Sequence, residues 1–276
     1  MRAEEIDPKT WLITRGNGQA STHNYLLVGE KKAALIDTAL EAEDLRAFTA
    51  TLTDKPIVVL HTHGHIDHIG NDQQFEEIML HPQDFSLFQL HSSAAFRTEF
   101  FKGNKAMKWD QDQTDPRQAI NQTVKLEPLT EGTIVDLGQR QLKVIENPGH
   151  TYGCLSLIEE DRKMIYTGDM ICEKGVLLHF AESTDIARYK KSLEHLRSAI
   201  APDYQLYPGH QRTPLSSEWI DAYSECAEEL LALGTERTKT NLTEQETHEI
   251  LFHSKGKATI SYTREKILAR EGTSDN

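Results

Sequence analysis

The chain has 276 residues, with 30 Lys+Arg against 43 Asp+Glu, so its formal net charge is −13. That length can bury a large core and lies near the upper size of one domain, and the composition is that of an ordinary globular protein, neither disordered nor collagen-like. The acidic balance argues against a nucleic-acid groove or an anionic membrane as main partner, because both require clustered Lys and Arg.

In chain order, Trp11–Thr14 reads as a short strand. His23–Val28 and Ala33–Asp37 read as two strands joined by the turn Gly29-Glu30-Lys31-Lys32. Glu41–Leu52 has helical spacing, with Leu45, Phe48 and Leu52 on one side. Pro56–Leu60 is a continuous apolar run and predicts a buried strand, and Glu77–Leu80 is another strand, closed by Pro82. Residues 83–122 change character: Phe85, Leu87, Phe88, Leu90, Phe96, Phe100, Phe101 and Trp109 show no strand alternation, and Asp110–Asn121 is polar. This stretch reads as a helical excursion, either a cover over the active site or a pair of helices over the core. Thr133–Asp136 with Gln141–Glu146, and Cys154–Ile158 with Lys163–Tyr166, read as hairpins. Ile186–Ala199 is an amphipathic helix, Tyr204–Tyr207 a strand, and Glu218–Leu233 a helix with Gly234 as its C′ residue. Thr243 with Glu246 suggests a capped helix running to Phe252. Hairpins in both halves, with helices between, indicate a layered α/β domain rather than a doubly wound parallel sheet. We expect a single domain over 1–276, with 235–276 as a C-terminal extension.

The start, Met1-Arg2-Ala3-Glu4-Glu5-Ile6-Asp7-Pro8, lacks an apolar h-region, and no run long enough to span a membrane occurs. A cytoplasmic location is the expectation. Cys154, Cys172 and Cys226 agree with a reducing compartment and form neither a disulfide framework nor a zinc knuckle. No Gly-rich phosphate loop and no G-x-S-x-G elbow is present.

Thirteen histidines outnumber nine phenylalanines, so their placement matters. The decisive stretch is Leu60-His61-Thr62-His63-Gly64-His65-Ile66-Asp67-His68, directly after the apolar run. His63, His65, Asp67 and His68 form H-x-H-x-D-H. Two His at i and i+2 in extended backbone point to one side and can grip one ion, while Asp67 and His68 can turn toward a second. Pro148-Gly149-His150-Thr151, Thr167-Gly168-Asp169 and Pro208-Gly209-His210 each follow a strand. Three strand-end loops with one ligand-type residue apiece look like one rim holding a metal pair.

Together with Leu35-Ile36-Asp37-Thr38, these motifs resemble the metallo-β-lactamase-fold hydrolase superfamily, on its glyoxalase II-like, small-molecule side, from about Asn24 to about Gly234. The resemblance implies a four-layered αββα sandwich. It places one divalent ion on His63, His65 and His150, another on Asp67, His68 and His210, and Asp169 between them. Zinc suits these shells, with manganese or iron as alternatives. It further implies a hydroxide bridging the two ions, oriented by Asp67, which could also pass a proton to the leaving group. Asp37 is expected to accept from a ligand His and fix its tautomer.

His61 alternates away from His63 and is expected to be structural or to support a ligand; His179 could reach the pocket. His81 should end a strand, and His23, His91, His195, His248 and His253 are expected to be surface or packing residues. Cys154 and Cys172 read as small buried hydrophobes. Within the superfamily, Asp169 argues against true β-lactamases, His65 against flavodiiron reductases, and His210 against mononuclear iron persulfide dioxygenases. The charge argues against the nucleic-acid branches. The expected function is hydrolysis of a small ester, thioester or lactone. The alternatives are a phosphodiesterase of the same fold and a mononuclear iron sulfur dioxygenase. The expected partner is a small-molecule substrate, with homodimerisation left open.

Overall fold

A computed structural model describes residues 1–15, 21–40, 44–103, 124–237 and 249–267. The first half builds β1 (Arg2–Asp7), β2 (Thr10–Arg15), β3 (Thr22–Val28), β4 (Ala33–Ile36), α1 (Leu45–Ala50), β5 (Ile57–Leu60), α2 (Ile66–Ile69), β6 (Glu77–Leu80), α3 (Phe85–Ser92), α4 (Ala94–Gly103) and β7 (Lys125–Pro128). The second half builds β8 (Ile134–Asp136), β9 (Gln141–Glu146), β10 (Leu155–Glu159), β11 (Met164–Gly168), β12 (Val176–Leu177), α5 (Ile186–Ser198), β13 (Gln205–Pro208), β14 (Leu215–Ser216), α6 (Glu218–Arg237), β15 (Leu251–Lys255) and β16 (Ala258–Tyr262).

The strands form a seven-stranded sheet in sequential order β1 to β7, a six-stranded sheet ordered β14-β13-β11-β10-β9-β8, and a small sheet ordered β12-β16-β15. Side-chain alternation along each strand assigns the layers. Tyr25, Leu27, Val58 and Leu60 of the first sheet meet Leu142, Val144, Leu155 and Tyr166 of the second in one buried cluster. The alternate residues Leu26, Leu35 and Val59 face the other way and pack with Leu45 of α1. On the far side of the second sheet, Ile158 and Ile165 pack with α5 and α6 through Leu193, Leu196, Tyr223 and Leu230. This is the αββα sandwich. Each fully buried aliphatic contributes roughly 1.5–3 kcal/mol relative to exposure, so both the inter-sheet cluster and the cluster under α5 and α6 contribute heavily to the fold's stability.

Sequence and structure differ at several ends. Asp37 is not the last residue of a strand: its φ of 59° turns the chain out of β4 at Ile36. Helix α1 starts after Asp44, whose side chain accepts the Ala47 amide, and it ends at Ala50; residues 41–43 lie outside the described residues. Gly234 does not end a helix, since α6 continues to Arg237. A Cβ there would lie 2.0 Å from Ile267 Cγ2, so Gly234 serves close packing of the C-terminal segment. Leu251 and Phe252, expected to finish a helix, lie in β15, Glu249 and Ile250 before them are not helical, and residues 243–248 lie outside the described residues. Of the excursion at 83–122, α3 and α4 are helical as expected, and 104–122, Trp109 included, lies outside the described residues. Among the described residues no helix is long and apolar enough to cross a membrane.

Candidate metal centre

The two sheets deliver their strand ends to one edge. Parallel strands β4, β5 and β6 end side by side, as do β11 and β13, so the loops after β4, β5, β11 and β13 converge there, joined by the loop from β9 to β10. This is the edge where open α/β sheets place their ligands. After β5 the chain bends at Thr62, is extended at His65, whose φ and ψ are −73° and 151°, and then enters the single turn α2. The switch in backbone sorts the motif: His63 and His65 lie on the strand-end loop, Asp67 and His68 in the helical turn. A Cβ on Gly209 would lie 2.8 Å from both Asp169 Oδ1 and His68 Cε1, so only glycine lets the His210 loop approach this closely.

All seven expected ligand residues come together. His63, His65 and His150 form one trio, Asp67, His68 and His210 another, and His63, His68 and Asp169 a third that links them; within each, the donor atoms lie within 4.8 Å of one another. In the first trio His65 Nδ1 is 3.1 Å from His63 Nε2 and 2.9 Å from His150 Nε2. In the second, His210 Nε2 is 3.3 Å and His68 Nε2 3.9 Å from Asp67 Oδ2. Asp169 reaches both: Oδ1 is 3.4 Å from His68 Nε2, and Oδ2 is 3.7 Å from His150 Nε2 and 3.4 Å from His210 Nε2. Donors on a tetrahedral ion with bonds of ~2.0–2.1 Å stand ~3.3 Å apart, so these separations fit.

Each of the five imidazoles has its other nitrogen on a fixed acceptor. His63 Nδ1 faces Thr62 Oγ1 at 3.1 Å, and that hydroxyl donates onward to Asp37 Oδ2 at 2.8 Å. His65 Nε2 faces Glu182 Oε1 at 2.9 Å, and His68 Nδ1 faces Asp37 Oδ2 at 2.8 Å. His150 Nδ1 and His210 Nδ1 face the carbonyls of Leu177 (2.7 Å) and Ser21 (3.0 Å). Acceptors there assign the proton to the outer nitrogen and leave the inner lone pair for an ion. His68 Nε2 and Asp169 Oδ1 are buried with no hydrogen-bond partner, a costly state that a cation between them would relieve. The donor set therefore fits divalent ions.

The electrostatics divide the two halves. Burial and the neighbouring imidazoles of His68 and His65 hold His63 well below the usual imidazole range. Burial and His65 bring His150 down to about 4. In the other half, burial is outweighed by carboxylates: Asp169, Asp37 and Asp67 push His68 up to about 10, and Asp169 and Asp67 push His210 well up. Burial would raise Asp67 and Asp169, but the facing imidazoles hold both carboxyls low.

Asp37 takes the supporting role expected of it, accepting also the Thr62 amide at 2.9 Å. His61 does not face the trios; it sits fully buried between Asp37 (3.3 Å) and Asp72 (2.9 Å). His179 bonds Ser261 Oγ at 2.8 Å and lies against Phe180. His91, expected to be a surface or packing residue, is buried and stacks on His65 with ring centres 5.4 Å apart, while its Nδ1 accepts the Ile66 amide. On its other face it stacks with Phe96 at 4.0 Å, and Phe96 with Phe100 at 6.3 Å, so an aromatic column runs from the centre into α4. Cys154 and Cys172 are buried, and burial pushes both thiols up. His81 caps a turn, and His248 lies outside the described residues.

Two supporting carboxylates carry no motif that singles them out. Asp84 accepts the amides of Gly64 (2.9 Å) and Gly153 (2.8 Å) and the Thr151 hydroxyl (2.7 Å), tying the H-x-H loop to the His150 loop. Glu182 lies 117 residues from its partner His65. The signal that could have found Asp84 is its place just after β6, at the same sheet edge.

A family model described as the metallo-beta-lactamase superfamily matches residues 17–210, and the chain belongs to that superfamily of metal-binding hydrolases. Among curated relatives, it is 26% identical over 231 residues to "Acyl-coenzyme A thioesterase MBLAC2" of Bos taurus, covering 74% of this chain and 78% of that one. It is 28% identical over 189 residues to "Hydroxyacylglutathione hydrolase GloC" of Haemophilus influenzae, covering 66% and 81%. A solved structure of a protein designated TTHA1623, in a di-iron-bound form, superposes with a TM-score of 0.57 at 23% identity, covering 75% of this chain and 95% of that one.

Proposed function

We propose that this chain is a dinuclear metallohydrolase of a small ester, thioester or lactone, with an acyl thioester first among these. The observation that carries the two-ion reading is Asp169, whose Oδ2 lies between His150 of one trio and His210 of the other while Oδ1 faces His68. His63, His65 and His150 would hold one ion and Asp67, His68 and His210 the other, zinc first and manganese or iron as alternatives. A single-iron sulfur dioxygenase leaves the second trio without a purpose. The thioester preference is supported by the printed activities of two relatives, one acting on acyl-coenzyme A and one on hydroxyacylglutathione.

When bound, the ions supply an attacking nucleophile from water near pH 7 and Lewis acidity toward a carbonyl oxygen. The protein's own side chains do the rest. Asp169 keeps the two halves in register. Asp67 is the most exposed of the seven at 31%, with Oδ2 on His210 at 3.3 Å, so it can orient a water and hold a proton for the leaving group. Phe180 and the aromatic column exclude water from one flank, which strengthens every charge interaction within. At −13, the chain suits a small-molecule substrate rather than nucleic acid or an anionic membrane.

The test is a panel of acyl thioesters, p-nitrophenyl esters, lactones and phosphodiesters with the zinc-reconstituted protein. Thioester turnover should lead and vanish in Asp169→Ala. A dominant phosphodiesterase rate, or oxygen uptake with one iron per chain, overturns the reading.

A further inference from the structure

The family match ends at residue 210, yet the chain beyond it meets the metal centre at one remove. Two of the five imidazole partners, the Leu177 carbonyl on His150 and the Glu182 carboxylate on His65, sit on one segment, 176–184. That segment begins with β12, which pairs with β16 of the C-terminal hairpin: Val176 lies opposite Ile260, and Leu177 opposite Ser261. The Leu178 amide donates to the Ser261 carbonyl at 2.8 Å, and His179 Nδ1 is 2.8 Å from Ser261 Oγ. Val176 and Leu178 share a core with Ala258, Ile260 and Tyr262.

The other end of the segment is held by a buried lysine. Lys266 is 8% exposed, and its Nζ donates to the Ser183 carbonyl at 2.5 Å and the Ala181 carbonyl at 3.4 Å. These two carbonyls flank Glu182. Ser183 Oγ donates in turn to the His150 carbonyl at 2.8 Å. Phe180 lies between the two anchor points, its ring 5.5 Å from that of His65 and 5.7 Å from that of His150. Lysine is seldom buried unless its ammonium is satisfied, and here the ammonium donates to two carbonyls of this loop. The partners of His68 and His210, Asp37 and Ser21, lie instead beside β4 and β3 of the first sheet.

We propose that the C-terminal hairpin and Lys266 form a positioning clamp for one half of the metal centre, that of His63, His65 and His150, and leave the half built on Asp67, His68 and His210 untouched. The clamp acts through the 176–184 segment: β16 sets the Leu177 carbonyl on His150, and Lys266 sets Glu182 on His65. Removing such a partner costs about 10–100-fold in metal affinity at the ligand it orients. The inference rests on the reading of these residues as metal ligands and not on any substrate.

The experiment is chelator-competition titration of zinc into the metal-free full chain, resolving two affinities, on Lys266→Met, Lys266→Arg and Glu182→Ala. Val59→Ala, in the first sheet, serves as a control for general destabilisation. Lys266→Met and Glu182→Ala should weaken one affinity about 10–100-fold and leave the other within about twofold, and Lys266→Arg should recover much of the loss. The downfield imidazole N–H proton signals of His65 and His150 in the zinc-loaded protein should broaden or vanish in Lys266→Met and persist in Val59→Ala. A Lys266→Met protein with lower Tm but both affinities intact, or with both equally weakened, overturns the clamp. If Lys266→Met fails to fold, Glu182→Ala decides, and unchanged affinity there overturns it. Wild-type protein that takes up no metal overturns the ligand reading itself, and the clamp with it.

Discussion

Asp37→Asn is the most informative single substitution. The carboxylate is 2% exposed and takes four donors: the Thr62 amide (2.9 Å), the Thr62 hydroxyl (2.8 Å), His68 Nδ1 (2.8 Å) and His61 Nδ1 (3.3 Å). Burial alone would raise its pKa, but His68 and His61 hold it at about 2. Asparagine keeps the shape, removes the charge and turns an N–H₂ against a donor. Breaking a buried charge pair costs ~3–5 kcal/mol. At ~2 °C per kcal/mol for a chain of this size, the metal-free protein should lose ~6–10 °C in Tm. His68 also loses the acceptor that fixes its tautomer, so the affinity it serves should fall about 10–100-fold, while that of His63, His65 and His150, reached only through the Thr62 hydroxyl that Asp37 holds against His63, should fall by less. Thermal denaturation by circular dichroism and chelator competition read the two effects. A depressed carboxyl stabilises the fold above its unfolded pKa of 3.8 and gives that up as pH falls toward about 2. The gap between wild type and variant should therefore persist at pH 5 and shrink below pH 4. A Tm within about 2 °C of wild type at pH 7, with both affinities unchanged, refutes the reasoning.

Metal uptake should be proton-coupled in the half built on Asp67, His68 and His210: His68, held at about 10, and His210, held well up, carry protons in the metal-free protein at pH 7, whereas His63 and His150, both held low, have none to release. Calorimetry in buffers of different ionisation enthalpy should show protons released as the Asp67, His68 and His210 half fills, and that affinity should rise with pH between 6 and 8; pH-independent uptake contradicts it. Those raised imidazoles also stabilise the metal-free fold below pH 6.5, a contribution lost as pH climbs through about 10 at His68. Gly209→Ala puts a Cβ 2.8 Å from Asp169 Oδ1 and His68 Cε1, so metal content should drop while circular dichroism stays near wild type; full occupancy counts against it. Phe96→Ala opens the aromatic column and should raise KM for substrates with an apolar part without lowering metal content, and an unchanged KM across a substrate panel removes α4 from the substrate site.

The ligand set was legible because it is local or marked. Four of its members lie within six residues, and the other three each follow a strand beside a glycine. Strand β5 was legible from its apolar run, nearly all of it buried, and β4 and β10 from the turns that join them to their hairpin partners. Strand β1 was not, because its sequence RAEEID is charged and mostly exposed at a sheet edge, where pairing comes from the neighbour and not from burial. The C-terminal hairpin was misread because β15 alternates half-buried and exposed residues beside capping signals that suit a helix. Asp84, Glu182 and Lys266 were missed for a shared reason: each acts on a loop more than fifteen residues away, and a lone acid or lysine carries no spacing pattern. Tertiary structure alone reveals such partners. The thirteen histidines sort accordingly, with five in the trios, His61 in the buried acid pair and His91 stacked on a ligand.

The most direct measurement is anomalous diffraction from crystals of the zinc-reconstituted protein. Two anomalous peaks ~3.5–4 Å apart, one within bonding distance of His63, His65 and His150, the other of Asp67, His68 and His210, with Asp169 between, are the predicted result. A single peak, or peaks elsewhere with these seven side chains unligated, contradicts the account.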